Sequence, residues 1–211
     1  MLKRKWMIRS LLASASLLAL PALAASTGVF GSYIAIDQDG PGPGALSWYG
    51  AQQPGPVTLS SFNGLNLGTF ALGSVAYIAG AELETWKNGG DVLSAKLNYR
   101  VDSGAWQTAN IAWTSNSAFN DAAGNTFTGS GDQKWAQLSG APLNFLSGVG
   151  AGTHSLEVFY TAQSSTDGTL SSPSHYSASF AVQAPVPEPS SMALMALGLV
   201  GLLTWRRRSS V

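Results

Sequence analysis

Leu93-Ser94-Ala95-Lys96-Leu97-Asn98-Tyr99-Arg100-Val101 is the stretch whose reading decides the fold. Leu93, Ala95, Leu97, Tyr99 and Val101 fall on one parity, and Ser94, Lys96, Asn98 and Arg100 on the other. A period of two sustained over this length describes a half-buried β-strand. The residues before it repeat the pattern: Val75, Tyr77, Ala79, Ala81 and Leu83 alternate up to Trp86, and Lys87-Asn88-Gly89-Gly90-Asp91 supplies the turn between them. Asn-Gly and Gly-Gly accept the positive φ that tight hairpins need. Asp102-Ser103-Gly104 turns the chain again and 105–114 returns; a long polar loop, 115–132, leads to a strand at 133–138. His154, Leu156, Val158 and Tyr160 form another alternating face, and Tyr176, Ala178, Phe180 and Val182 the last, with a Ser/Thr/Gly loop at 163–174 between them.

Towards the N-terminus the pattern weakens. Residues 28–37 read as one short strand, and 59–72 as a weak strand pair broken at Asn63-Gly64. Between them, 40–56 carries five Gly and four Pro, a density that predicts an irregular loop or extended arm packed down by Trp48 and Tyr49. No segment from 25 to 184 shows sustained helical periodicity. The expected fold is all-β: an antiparallel β-sandwich, immunoglobulin- or fibronectin-like or else a jelly roll, flanked by a signal peptide and a short C-terminal transmembrane helix. The expected divisions are a signal peptide at 1–24, a Gly/Pro-rich arm with the first strands at 25–72, the sandwich core at 73–184, and a C-terminal signal at 185–211.

The chain has 211 residues, no Cys and a formal net charge of zero, but that charge is segregated. Between the ends, 25–184 keeps four basic residues (Lys87, Lys96, Arg100, Lys134) against ten acids, so 4 − 10 gives −6. An acidic domain repels phosphate backbones, which argues against nucleic-acid binding. Without Cys, an exported domain draws its stability from burial, with no disulfide to help. The N-terminus has a basic start, an apolar run from 11 to 20, and Ala22-Leu23-Ala24 as a small-x-small site, the pattern of a secretory signal peptide cut after Ala24 by signal peptidase once the secretion machinery has engaged it.

The C-terminus reads Val186-Pro187-Glu188-Pro189-Ser190-Ser191, then an apolar run to Thr204, then Trp205-Arg206-Arg207-Arg208. As a helix, 190–205 reaches about 24 Å at ~1.5 Å per residue, short of a ~30 Å bilayer core. The three arginines hold the cytoplasmic side, and the folded part lies outside. In its order of triplet, apolar helix and Arg cluster, this tail resembles the PEP-CTERM sorting signal of Gram-negative bacteria. The resemblance implies an exosortase as processing partner and cleavage near Pro187, Glu188 and Pro189. It also implies a transient inner-membrane anchor whose stop is Arg206, Arg207 and Arg208, and delivery to the cell surface or the extracellular matrix. The two prolines lack amide donors and bias the triplet to an extended form that a protease cleft can grip.

The folded middle offers no catalytic pattern. There is no Gly-x-Ser-x-Gly, no His-Glu-x-x-His and no phosphate-cradling loop before a helix. His154 and His175 lack an adjacent carboxylate pattern. Glu82 and Glu84 share a strand face about 7 Å apart, a separation compatible with glycoside hydrolysis, but a solvent-facing pair is the plainer reading. Asp37 and Asp39 open something like a calcium loop without completing it, and Asn120-Asp121 with Asn125 could do the same; an Asx turn explains either. No catalytic residue, no cofactor and no enzymatic activity is expected. Trp113, of one parity with Ile111, is assigned to the core. Trp86, Trp106 and Trp135 fall on nominally polar faces, where flat indoles can stack on sugars unless a bulge turns them inward. The expected role is therefore structural or adhesive in an exopolysaccharide or biofilm matrix. The competing class is a secreted carbohydrate-binding or glycan-active protein.

Overall fold

The computed structural model describes residues 25–38, 46–52, 59, 61–116, 118–138, 140–171, 175–185 and 197–199. The signal peptide, the sorting triplet and the Arg cluster lie outside these residues, as does all of the apolar tail but a helical piece at 197–199. Among the described residues no helix is long and apolar enough to cross a membrane.

The strands, in chain order, are β1 (Thr27–Asp37), β2 (Ser47–Gln52), β3 (Asn66–Ala71), β4 (Tyr77–Lys87), β5 (Val92–Val101) and β6 (Gln107–Asn116). There follow β7 (Phe119–Asn120), β8 (Thr126–Phe127), β9 (Asp132–Leu138), β10 (Leu143–Asn144), β11 (Gly152–Ser164), β12 (Thr169–Ser171) and β13 (Tyr176–Gln183). One hydrogen-bonded sheet runs β2-β1-β4-β9-β6-β5-β11-β13-β3, with β10 beside β4 and β12 beside β11. β7 and β8 pair only with each other. The expected all-β character is present, as one continuous sheet. The expectation of purely antiparallel pairing needs correcting at one edge, where β3 runs parallel to β13. Gly64 N–H on Ser177 O and Ser179 N–H on Leu65 O hold that early segment against the last strand.

The sheet curls until strands far apart in its order touch. β1 and β11 are separated by β4, β9, β6 and β5. Yet the Tyr160 hydroxyl donates to the Tyr33 carbonyl at 2.6 Å, and the Thr27 hydroxyl to Ser164 Oγ at 2.7 Å. Ser26 N–H reaches the Asp167 carboxylate, and the Gln38 amide donates to Leu67 O, joining the end of β1 to β3. The concave face holds one core, built among others from Ile34, Ile36, Phe62, Leu83, Leu97, Leu156, Tyr160 and Phe180. Fully burying side chains of this size stabilises by roughly 1.5–3 kcal/mol each before chain entropy is set against it.

Where sequence parity fails, a bulge or an unforeseen partner is the cause. Leu93 is 59 % exposed, because the β5–β11 register slips beside it and Val92 takes the core position instead. Trp113, expected in the core, is exposed on β6, whose only buried residue is Ile111. The Gly/Pro-rich 40–56 segment contains a strand after all: β2 pairs with β1 from Ile36↔Ser47 to Gly31↔Gln52, across residues free of proline. Residues 61–64 form a turn held by Phe62 and Asn63 N–H on Leu59 O, and only β3 follows among the described residues, so the expected strand pair there is a single strand.

Closing the curl through Tyr160 carries a definite cost if removed. Tyr160→Phe should lower stability by about 1–3 kcal/mol, because the Tyr33 carbonyl loses a buried donor. Urea denaturation checks this; a loss below about 0.5 kcal/mol, the range of neutral surface changes, would place the closure elsewhere.

Candidate functional site

On the convex face, opposite Ala81, Leu83 and Thr85, residues in register on β1, β4 and β9 form three successive rows. Tyr33, Glu82 and Ala136 make the first, Gly31, Glu84 and Lys134 the second, and Gly28, Trp86 and Asp132 the third. The β7–β8 hairpin lies over the first two rows. Glu82 and Glu84 do share a face, but they are buried rather than solvent-facing, at 3 % and 0 % exposure.

Each buried charge in these rows has an identifiable partner except one. Asp121 Oδ1 accepts from the N–H groups of Ala123 and Asn125, and Oδ2 accepts from Asn125 Nδ2 and the Tyr33 hydroxyl. Glu82 Oε1 accepts from Ala122 N–H at 2.9 Å, and Oε2 pairs with Lys134 Nζ at 2.9 Å. Lys134 also donates to the Asn120 carbonyl. Glu84 is the exception: no N–H or hydroxyl donor among the described residues reaches either carboxyl oxygen, and the Glu82 carboxylate stands close enough to share a proton with it. It lies over Gly31, where a Cβ would sit 1.7 Å from Oε2, so only glycine leaves it room.

The electrostatics follow from this sealing. Burial, then the negative charges of Asp121 and Glu82, push Glu84 up to about 8 from its ordinary 4.5. Burial raises Glu82 as well, against the pull of Lys134 and the Ala122 N–H. Tyr33 is raised by burial and by its hydrogen bond to Asp121, so it remains a neutral phenol. At neutral pH Glu84 is therefore mainly a protonated acid, and the Lys134 ammonium answers Glu82. A buried carboxyl that meets no donor, and only like-charged neighbours, neutralises itself in this way.

The third row opens into a surface cavity of about 350 Å³ lined by Phe30, Trp86, Phe127 and Asp132. The Trp86 indole lies across Gly28, close enough that a Cβ there would come within 2.4 Å of its ring nitrogen. Phe127 of the hairpin packs between Phe30 and Phe119, at ring-centre distances of 5.1 and 5.3 Å. The cavity thus has one wall on the sheet and one on the hairpin.

The three tryptophans singled out by parity separate. Trp86 lines the cavity. Trp106 is half-buried and engaged on several sides: Arg100 stands 4.5 Å over its ring, and Phe159 and His175 pack edge-on at 4.8 Å. Trp135 is withdrawn from sugar contact, being buried in the core with its indole N–H on Thr85 Oγ1 at 3.1 Å. Parity misplaces Trp135 because Gln133, on the same side, is itself buried: its amide oxygen accepts from Val92 N–H and its amide nitrogen donates to Asp91. A bulge at Gln137, whose φ is +73°, then lets Leu138 share the core face with Trp135.

His154 has a carboxylate that no sequence pattern disclosed. Its Nδ1 lies 2.8 Å from Asp102 Oδ2 and its Nε2 3.1 Å from Gly150 O. With both nitrogens engaged, the ring latches a loop. Asp121 is an Asx turn whose two oxygens already meet four donors, which leaves little for a calcium ion. Asp37 is described but Asp39 is not, so that pair lies partly outside the described residues, as do Ala22, Ala24, Pro187, Glu188, Pro189, Arg206, Arg207 and Arg208. Among the described residues no group of three or more His, Cys, Asp or Glu side chains is placed to hold a metal ion.

Residues 185–208 match the family model of the PEP-CTERM protein-sorting motif. The chain carries a PEP-CTERM sorting motif. Such a motif belongs to an exported protein sorted by an exosortase, and its match begins just after the last strand of the β domain, which ends at Gln183. No curated protein matches the sequence.

The sealed acid makes stability depend on pH with a definite sign. Glu84 is raised in the folded state, so its contribution is complete below about 4.5 and is lost as pH rises to about 8. Stability should therefore fall by up to ~1.4 kcal/mol per pH unit across that window. Glu82 shifts in the same sense. Asp102 is lowered, as its bonds from His154 and Ser155 outweigh burial, so its effect falls at more acid pH. Glu84→Gln should flatten the profile of urea midpoints between pH 5 and 8 and gain stability over the parent at pH 8. An unchanged slope would show that Glu84 is not the buried acid.

Proposed function

We propose that this protein is a non-enzymatic cell-surface or extracellular-matrix component, structural or adhesive, which contacts exopolysaccharide through the Trp86 cavity. The observation that carries the reading is the sorting motif at 185–208. Signal peptidase removes 1–24, the apolar tail holds the chain transiently in the inner membrane, and an exosortase then acts near Pro187, Glu188 and Pro189.

A binding rather than catalytic role is supported by the placement of the reactive groups. Glu84, the acid best suited by its raised pKa to donate a proton, is wholly buried, and His154 has both nitrogens occupied. A general acid must come within hydrogen-bond reach of the group it protonates. The Trp86 cavity is instead lined by aromatic side chains and one acidic residue, and a second surface cavity, lined by Ser94, Lys96, Thr161, Ala162, Gln163 and Thr169, holds neither a carboxylate nor a His among its described lining.

Intact-mass spectrometry of the extracellular protein tests the sorting step. The expected species lacks residues 1–24 and everything beyond the Pro-Glu-Pro region. Retention of 190–211 in that species would refute processing.

A further inference from the structure

We infer that the cavity of Phe30, Trp86, Phe127 and Asp132 binds a cationic amino sugar, its ring on the Trp86 indole and its ammonium against the Asp132 carboxylate. The inference rests on the reading of polysaccharide contact at Trp86 and narrows the glycan to one charge class.

The first support is the composition of the walls. Three aromatic side chains and one acidic residue border an open cavity of about 350 Å³, room for a single sugar unit with its water. Among the described residues no hydrogen bond or ion pair engages the Asp132 carboxylate, although its backbone N–H bonds Gly129 O. The face of an aromatic ring is negative, so it attracts both the polarised C–H face of a sugar and an ammonium. A charge-assisted hydrogen bond from an ammonium to Asp132 is about twice as strong as one from a neutral hydroxyl.

The second support is the charge around the cavity. Among the described residues no Lys or Arg lines it. In the neighbouring rows, Lys134 is the single cation among the described residues beside Glu82 and Asp121, and it is already paired with Glu82, while the protonated Glu84 adds no charge. The segment 25–184 carries a formal −6, from four basic and ten acidic residues, and stays acidic with Glu84 protonated. A uronic-acid or phosphorylated glycan would approach against that field, and a neutral one would gain nothing from it. A polymer bearing free amines is drawn in.

The third support is the way the site is built. Gly28 lets the indole lie flat on β1, and the hairpin that provides Phe127 is fixed by the Asp121–Tyr33 and Ala122–Glu82 hydrogen bonds. The walls are set before any ligand arrives, so little ordering is needed on binding.

The test is calorimetric titration of the exported protein at low salt and about pH 6, below the ordinary amine range and above the ordinary carboxylate range. The probes are a glucosamine tetramer, its fully N-acetylated counterpart, a galacturonate tetramer and tetramethylammonium. The glucosamine tetramer should bind saturably, the acetylated tetramer at least about tenfold more weakly, and the galacturonate tetramer not at all. Asp132→Asn should weaken glucosamine binding by at least about tenfold, as loss of a charged hydrogen bond requires, with thermal unfolding unchanged. Trp86→Ala should abolish it; if that variant does not fold, Asp132→Asn carries the test alone. Equal binding of the two tetramers, or an unaffected Asp132→Asn, would overturn the cationic assignment while leaving polysaccharide contact standing. Binding of no glycan would end both. Tetramethylammonium binding as tightly as the glucosamine tetramer would overturn the sugar.

Discussion

The convex face depends on how three carboxyl groups and one ammonium are sealed beneath a two-stranded hairpin. Glu82, Glu84 and Asp121 cannot all be charged there with Lys134 as the only cation beside them among the described residues. Removing a carboxylate from water costs several kcal/mol unless it is paired, richly hydrogen-bonded or protonated. The chain uses all three remedies at once: Lys134 for Glu82, four donors for Asp121, and a retained proton for Glu84. These bonds fix the hairpin to the sheet. They position Phe127, and with it the outer wall of the aromatic cavity.

The concave face obeys a plainer constraint. A domain without disulfides must enclose its core by curvature, and one sheet can do this only if its distant strands meet. The contacts of Tyr160 with Tyr33, Thr27 with Ser164, and Gln38 with Leu67 are where they meet. β4 is the element common to both faces: Ala81 and Leu83 point into the core while Glu82 and Glu84 point under the hairpin. The same strand therefore couples the stability of the core to the placement of the cavity. Gly31 and Gly28, opposite Glu84 and Trp86 on β1, are the positions where a side chain would break that coupling.

Much of this was legible in the sequence. Alternation gave the main strands from 77 to 183, and the Pro-Glu-Pro, apolar and Arg order gave the sorting motif, because each is a local pattern. Long-range choices were not legible. The hairpin within 115–132 is two residues a side and depends on Asp121, whose partner Tyr33 lies 88 positions away. The solvent-facing reading of Glu82 and Glu84 followed from their type; nothing nearby in the sequence announces a cover contributed by 119–127. Trp135 was misplaced for the converse reason, since a buried Gln133 made the core face look polar. Leu93 and Trp113 moved outward beside register slips that alternation cannot disclose. The cavity combines Phe30, Trp86, Phe127 and Asp132 from four separate strands, and of these only Trp86 stood out beforehand.

The sorting motif sets the destination of the chain, and the sealed row sets the shape of what arrives there. The direct test of the row is the titration of one carboxyl carbon, followed by NMR in protein labelled with ¹³C at the glutamate side chains and assigned with Glu84→Gln. A Glu84 midpoint near 8, far above its ordinary 4.5, is the predicted result. A midpoint at the ordinary value would mean that water reaches the carboxylate, that the hairpin does not seal it, and that the account of the convex face is wrong.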